Sequence, residues 1–242
     1  MTADTAGIST QVTATGLSSQ SPDSCPDKSP ASNLPRLAVF TTGGTIAMRK
    51  DETGGVVPAI DGAELLAAVP GIGELAQLEV NNLFNMPSDY MTEEHWLLLY
   101  QQVSSELERD DIAGAIISHG TDTLEETAFF LDLTLSTDKP VVLVGAQRNA
   151  SEQDSDGPRN LLNAVLVATA PDARGKGVMV VFNQQISAAR DTSKSHTASV
   201  VGFQAGDMGF LGEVGHNDVH FYRPATPETS ITRPVTAFER SF

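Results

Sequence analysis

The sequence predicts a doubly wound α/β fold, with a mostly parallel sheet and helices on both faces. Short, largely apolar runs occur at 37–40, 112–118, 141–144 and 178–182, and 78–84 is a less regular strand. Segments of helical length lie between them, near 92–107, 124–135 and 160–170. Apolar strands that alternate with helices indicate βαβ units and a parallel sheet buried on both faces.

The helix starts are predicted from their capping residues. Thr92 is a suitable N-cap for the helix over 92–107, but His95 stands where the acidic residue of a capping box would be. Thr123 and Glu126 have the spacing of a complete capping box. This spacing predicts that the helix over 124–135 begins directly after Thr123.

A length of 242 residues and an apolar content of 40% suit one large domain with a substantial core. Residues 1–34 are rich in Ser, Thr, Asp, Gly and Pro, so this segment is predicted to be a disordered tail. The domain is predicted at 35–222, and 223–242 is interpreted as a connector rich in Pro and Thr. We find no signal-peptide core and no apolar stretch of about 20 residues, which predicts a cytoplasmic protein without membrane contact.

The composition also argues against several functions. A formal charge of −16 disfavours nucleic acid as a partner, and the acidity is better explained by solubility. Cys25 is the single cysteine, which excludes an intrachain disulfide, CxxC redox chemistry and a cysteine-rich zinc site. No set of His, Asp and Glu has metal-ligand spacing, so no metal or organic cofactor is predicted.

Polar, glycine-containing clusters follow the predicted strands. Ligands of open parallel sheets bind at the carboxyl ends of the strands. The clusters are therefore expected to converge on one rim of the sheet, and they lie at 42–45, 88–89, 120–122, 145–147 and 190–194.

The residues of these clusters include a possible hydroxyl-activation set. Thr45 follows two glycines that permit a tight turn and a close approach to a small ligand. Its hydroxyl is a poor nucleophile unless another group removes the proton. Thr121, Asp122 and Lys194 offer a hydroxyl, a carboxylate and an amine, which resembles Ser–Lys hydrolases with a carboxylate added. An amine acts as a base only when burial lowers its pKa, whereas a nearby carboxylate holds it as ammonium.

Each residue taken alone has a simpler interpretation. Thr45 could belong to an ordinary turn or to a backbone phosphate cradle, although the GxxxxGK[ST] and GxGxxG spacings are not found. Asp122 could favour a helix start, Lys194 could be a solvated surface residue, and Ser88 could be a turn residue. His119 is interpreted as a packing or hydrogen-bonding residue. The joint arrangement favours catalysis over these alternatives.

Two longer stretches, 42–47 and 118–127, resemble the two signatures of the bacterial asparaginase/glutaminase family, with a type II-like pattern. Shorter matches follow in the expected order at 139–146, 156–158, 160–161 and 190–194, and the resemblance covers about 36–225. It implies an amidohydrolase that converts L-asparagine and water to L-aspartate and ammonia, with glutamine as a lesser substrate.

The resemblance implies catalytic roles for four residues. Thr45 matches the nucleophile, which would form an acyl-enzyme and release ammonia. Thr121, Asp122 and Lys194 match the second catalytic triad, and the division of work between the two threonines stays open.

The resemblance also implies a binding site for an amino-acid amide. Ser88 and Asp89 match the positions that hold the α-carboxylate and ammonium of the substrate, and Asp122 would contact the ammonium as well. Gly120 and Ala146 would offer backbone groups. No cofactor is implied, and the full-length family implies a homotetramer built as a dimer of dimers.

Two departures from the family pattern matter. The loop at 48–58 contains no tyrosine, although its glycines fit a loop that opens and closes over substrate. Family members usually have a smaller C-terminal α/β domain that completes the site of a neighbouring subunit, and this domain is expected to be missing after the connector. An inactive folded form that binds or associates without turnover therefore remains the alternative. The amidase subunit of a tRNA amidotransferase is disfavoured, because such subunits add an N-terminal domain of their own.

Overall fold

The computed structural model describes residues 34–216, 218–224 and 235–236. The predicted tail at 1–34, apart from residue 34, and most of the predicted connector at 223–242 lie outside the described residues. Twelve strands are found in the described part: β1 Arg36–Gly43, β2 Met48–Lys50, β3 Val56–Pro58, β4 Gln77–Met86, β5 Ile112–Ser118, β6 Val141–Val144, β7 Val178–Phe182, β8 Gln185–Ala188, β9 Ser193–Lys194, β10 Phe203–Gln204, β11 Gly212–Val214 and β12 Val219–Phe221.

The α-helices of the same residues are α1 Gly62–Ala67, α2 Glu93–Leu107, α3 Leu124–Thr134 and α4 Gly157–Thr169. Short 3-10 turns lie at Thr45–Ala47, Ile72–Glu74, Ser88–Tyr90, Pro171–Ala173 and Ala189–Asp191. No helix among these residues is both long and apolar enough to span a membrane.

Eight strands form one sheet in the order β12-β11-β8-β7-β6-β5-β1-β4. The neighbouring pairs from β4 across to β7 are parallel, and β8, β11 and β12 add an antiparallel edge. The predicted doubly wound, mostly parallel sheet is confirmed.

The core consists of two apolar layers, one on each face of this sheet. Alternate side chains of β1 explain the division, because Leu37 and Val39 enter one layer while Ala38 and Phe40 enter the other. Helices α1 and α4 cover the first layer, and α2 and α3 cover the second. Burial on both faces explains why the central strands are apolar runs rather than alternating patterns.

The N-cap positions are confirmed, since α2 begins after Thr92 and α3 begins after Thr123, but the hydrogen bonds at both caps differ from the prediction. Thr123 is the N-cap of α3 but makes no side-chain cap hydrogen bond, because its Oγ1 donates instead to the carbonyl of Ser88 at 2.8 Å. In α2 the box is complete without an acidic residue, since Nδ1 of His95 accepts from the backbone N–H of Thr92 at 3.1 Å. Long-range packing decides the first case, and an imidazole nitrogen replaces the carboxylate in the second.

The antiparallel edge was not predicted and alters the expected position of one cluster. Asn183 and Gln184 have φ of 48° and 66°, and they form the two-residue turn that joins β7 to β8. The cluster at 190–194 therefore follows an antiparallel strand, not the carboxyl end of a parallel one. Lys194 still reaches the rim by way of β9, but Asp191 forms an ion pair with Arg223 at 2.7 Å. The cluster thus converges on the rim only in part.

The loop expected at 48–58 is an antiparallel hairpin formed by β2 and β3. It is attached to the segment after β6, because the carbonyl of Met48 accepts from the backbone N–H of Ala150 at 3.0 Å. The backbone N–H of Lys50 also donates to Oγ of Ser151 at 2.9 Å. Opening of this hairpin over a substrate stays a prediction.

Candidate active site

The candidate site lies at the switch point of the sheet. The chain passes from β1 to β4 on one side of β1 and then to β5 on the other side. In open α/β sheets such a reversal leaves a crevice at the carboxyl ends of the two strands, where ligands bind. Thr45 follows β1 directly after Gly44, and Thr121 follows β5. The topology therefore places both candidate threonines beside the same crevice.

Three glycine contacts bring the loops of the crevice together. A Cβ atom on Gly43 would lie 2.4 Å from the backbone nitrogen of Met86, and one on Gly44 would lie 2.2 Å from Cα of Gly120. A Cβ atom on Gly120 would in turn lie 2.7 Å from Oγ of Ser88. Both Gly43 and Gly44 also have positive φ, at 100° and 79°. Any side chain at these positions would separate the loops that carry the predicted site residues.

Lys194 joins two of the predicted catalytic residues. Its Nζ donates to Oγ1 of Thr121 at 2.9 Å and to Oδ1 of Asp122 at 2.7 Å. Its side chain is only 12% exposed, whereas that of Asp122 is 66% exposed. The interpretation of Lys194 as a solvated surface residue is therefore wrong, since its charged end is paired and largely covered.

The hydroxyl of Thr121 is oriented by two neighbours. Because Lys194 donates to its oxygen, the hydroxyl hydrogen points elsewhere, and it is directed to Oε1 of Gln147 at 3.4 Å. Nε2 of Gln147 donates to the carbonyl of His196 at 3.2 Å. In this arrangement Nζ of Lys194 is the donor and the oxygen of Thr121 is the acceptor. Proton transfer to the amine requires this hydrogen bond to reverse.

The predicted binding residues differ in exposure. Ser88 is buried against Gly120, and its Oγ accepts from the backbone N–H of Thr123 at 3.3 Å. Asp89, the next residue, is exposed on the rim. Ala146 is fully buried at the end of β6. The structure therefore brings Ser88 and Gly120 into contact, while Asp89 faces solvent.

Asp156 organises the loop around Ala146, a role that the sequence did not reveal. Its carboxylate accepts from the backbone N–H groups of Gln147 at 3.1 Å and Arg148 at 2.9 Å. Nδ2 of Asn160 donates to the same carboxylate at 3.1 Å and to the carbonyl of Gly145 at 3.0 Å. The conformation of the loop is thereby fixed by the first turns of α4.

His119 forms the centre of a buried hydrogen-bond chain beneath the site. Its Nδ1 lies 2.7 Å from the carbonyl of Gly120, which can only accept, so Nδ1 carries the hydrogen. Nε2 then accepts from Oγ1 of Thr127 at 3.0 Å, and Thr127 accepts from Nε1 of Trp96 at 2.8 Å. The geometry agrees with the hydrogen-bonding interpretation of His119 and fits a neutral imidazole with its hydrogen on Nδ1.

Burial lowers the pKa of His119 from its usual 6.5 to about 4, although the bond to the Gly120 carbonyl partly opposes this shift. The unfolded chain therefore binds a proton at this position more readily than the folded chain between those two values. The contribution of His119 to the free energy of unfolding should therefore fall by about 2 kcal/mol when the pH is lowered from about 7 to about 5.

Urea unfolding of the wild type and of His119→Gln at both pH values measures this contribution. The variant has no titrating group at the position, so the stability difference between the two proteins should shrink at the lower pH. A difference that stays constant with pH would contradict a buried neutral histidine. The comparison between proteins is needed because the acidic side chains also titrate in this range.

Among the described residues, no group of three or more His, Cys, Asp and Glu could hold a metal ion. The chemistry available at the switch point is that of hydroxyl groups, an amine, a carboxylate and backbone amides. The fold and site together define an α/β protein with a Thr–Lys–Asp arrangement at the switch point of a parallel sheet.

The comparisons with known proteins identify the family. Residues 36–227 match the family model described as "Asparaginase, N-terminal". The chain belongs to the asparaginase family, as the two sequence signatures predicted.

Individual relatives agree with this assignment. The chain is 40% identical over 196 residues to L-asparaginase 2-3 of Saccharomyces cerevisiae, covering 80% of this chain and 54% of that protein. It is 41% identical over 207 residues to L-asparaginase of Bacillus licheniformis, covering 84% and 64%. The crystal structure of a probable cytoplasmic L-asparaginase from Campylobacter jejuni superposes with a TM-score of 0.75 at 43% identity, covering 79% and 59%. The chain thus spans between 54% and 64% of the length of these relatives.

Proposed function

We propose that this chain carries an amidohydrolase site for L-asparagine, which yields L-aspartate and ammonia. The observation that carries the proposal is the position of Lys194, whose Nζ binds both Thr121 and Asp122 in the loop that contacts Gly44. A largely covered ammonium between a hydroxyl and a carboxylate is suited to proton handling. The family assignment and the names of the relatives support the same reaction.

In the proposed mechanism, Oγ1 of Thr45 attacks the side-chain amide carbon while its proton passes through the hydroxyl of Thr121 to Nζ of Lys194, a step that requires the neutral amine. Collapse of the tetrahedral intermediate breaks the C–N bond, and the leaving nitrogen departs as ammonia after receiving the same proton from Lys194. Water then attacks the resulting ester, releasing aspartate and restoring the Thr45 hydroxyl. Donors preorganised for the oxyanion typically contribute about 3–4 kcal/mol each to such steps. Thr121, Asp122 and Lys194 supply the proton relay.

The substrate is proposed to bind through its α-amino and α-carboxylate groups. The carboxylates of Asp89 and Asp122 suit the ammonium, and the hydroxyl of Ser88 suits the carboxylate. Ser88 can donate its hydroxyl hydrogen to that carboxylate while its Oγ continues to accept from the N–H of Thr123. Backbone groups of Gly120 and Ala146 are proposed to contact the same substrate. No metal ion or organic cofactor takes part in this proposal.

A folded protein that binds without turnover is the second candidate, and the exposure of Asp122 is the observation that favours it. A side chain that is 66% exposed sits in high dielectric, where water weakens its action on Lys194 and on a developing charge. The described residues therefore build one wall of a pocket. In the proposed active form, a facing wall comes from a region corresponding to the remaining length of the relatives.

Assembly and location complete the proposal. We infer a homo-oligomer, because Phe129 and Leu133 lie one turn apart on α3 and are 44% and 48% exposed. Light scattering on the purified chain tests this inference, and a monodisperse monomer contradicts it.

A cytoplasmic location is inferred from the description of the Campylobacter jejuni relative as probable cytoplasmic. Cell fractionation with the chain in the membrane or secreted fraction contradicts that inference.

Ammonia release tests the function directly. L-asparagine and L-glutamine are supplied to the purified chain, and to the same chain fused after residue 224 to the C-terminal part of a relative. We expect the fusion to be at least about tenfold more active, which corresponds to about 1.4 kcal/mol of recovered transition-state stabilisation.

The outcomes separate the two candidates. Equal turnover by the chain and the fusion contradicts the need for a facing wall. No ammonia from either protein contradicts the amidohydrolase proposal, and calorimetric titration with L-aspartate then tests binding without turnover.

A further inference from the structure

The position of Lys194 depends on a small element outside the main sheet. Lys194 ends β9, a strand of two residues that pairs with β10 alone among the described residues, through Ser193 with Gln204 and Lys194 with Phe203. A two-stranded ribbon of this length is marginally stable in water by itself. Whatever fixes β9 against the body of the domain therefore also fixes the amine of Lys194.

Glu125 makes two contacts that attach β9 to α3. Its Oε2 accepts from the backbone N–H of Lys194, and its Oε1 accepts from Oγ of Ser193 at 3.5 Å. Glu125 is half-buried in the first turn of α3, where the helix dipole stabilises a carboxylate. One side chain thus holds both residues of β9.

We propose that Glu125 is a positioning residue for Lys194, and this inference rests on the function proposed above. Helix α3 begins just after Thr121 and Asp122, so one helix end carries the acceptors of Nζ and also the anchor of the lysine backbone. Lys194 is therefore held at both ends of its side chain. The hydrogen bonds of Glu125 go to the hydroxyl of Ser193 and the backbone of Lys194, so it is proposed to act through that backbone.

The physical reason for such an anchor is the length of the lysine side chain. Four methylene groups leave Nζ free to adopt many positions unless the backbone is fixed. A displacement of about 1 Å in a reacting group can lower a rate by about 100-fold. Without Glu125, water can accept the hydrogen bond from the backbone N–H of Lys194. The domain is therefore expected to stay folded while β9 changes its position.

Kinetics on Glu125→Ala, Glu125→Gln and Glu126→Gln test the proposal in the active form of the protein. Glu126 is a matched control, because it is the next residue in the same helical turn, carries the same charge and is exposed. We expect Glu125→Ala to lower kcat about 10- to 100-fold with little change in KM. Glu125→Gln keeps an acceptor oxygen and should recover part of kcat, and Glu126→Gln should match the wild type.

Amide hydrogen exchange at Lys194 supplies a readout that needs no activity. Exchange should accelerate in Glu125→Ala and stay unchanged in Glu126→Gln, whether or not the protein releases ammonia. If the wild type released no ammonia but exchange at Lys194 were faster in Glu125→Ala, the proposed function would be rejected. The proposal that Glu125 positions Lys194 would still stand. Unchanged exchange at Lys194, or a kcat of Glu125→Ala equal to that of an active Glu126→Gln, would overturn the inference. Faster exchange throughout α3 would show a general structural role and would also overturn it.

Discussion

Replacing either Thr45 or Thr121 by alanine should lower ammonia release from L-asparagine by orders of magnitude while the fold stays intact. Loss of the Thr45 hydroxyl removes the covalent route, and binding alone cannot replace a nucleophile. Loss of the Thr121 hydroxyl removes a proton-transfer group, an effect of roughly 10²- to 10⁴-fold. Initial rates of ammonia release from each purified variant measure both effects.

The structure explains why stability should survive these two changes. Thr45 is only partly buried, so its alanine variant leaves no large cavity. When Thr121 is replaced, Lys194 keeps its ion pair with Asp122. Thr45→Ser retains a hydroxyl and serves as the control, since it should keep measurable activity. Near wild-type turnover in either alanine variant would remove that threonine from the mechanism.

The sequence was sufficient to predict the parallel part of the sheet. The runs at 112–118, 141–144 and 178–182 coincide with β5, β6 and β7, because strands buried on both faces must be apolar throughout. The position of Thr45 and Thr121 beside one crevice follows from the same strand order. The roles of these residues in the reaction stay predictions.

Contacts between distant parts of the chain could not be predicted from the sequence. Oγ1 of Thr123 had a suitable cap partner nearby but binds Ser88, which is 35 residues away. The contact between Glu125 and Lys194 spans 69 residues, and no local pattern encodes it. The short antiparallel strands after Phe182 are two to four residues long, which leaves too few positions for a period-2 pattern to appear.

Lys194→Met should nearly abolish turnover and change the affinity for L-aspartate only modestly. Methionine fills a similar volume but supplies no donor to Thr121 or Asp122, so the proton relay is lost. Asp122 loses its ion pair, yet its exposure lets water solvate the carboxylate, which limits the cost to stability. Rates of ammonia release give kcat, and calorimetric titration with L-aspartate gives Kd. Lost affinity with retained kcat would make Lys194 a binding residue, and the relay would need another base.

A second substitution, Lys194→Arg, separates proton handling from simple charge. Arginine keeps a positive charge and hydrogen-bond donors for Thr121 and Asp122, but a guanidinium is not deprotonated in proteins. If Lys194 exchanges a proton with Thr121 during the reaction, the arginine variant should be about as inactive as the methionine variant. If Lys194 only orients Thr121 and Asp122 as a donor, arginine should restore much of kcat. Both roles are compatible with the hydrogen bond from Nζ of Lys194 to Thr121 in the wild type. The kcat values of the methionine and arginine variants therefore decide which role the lysine has.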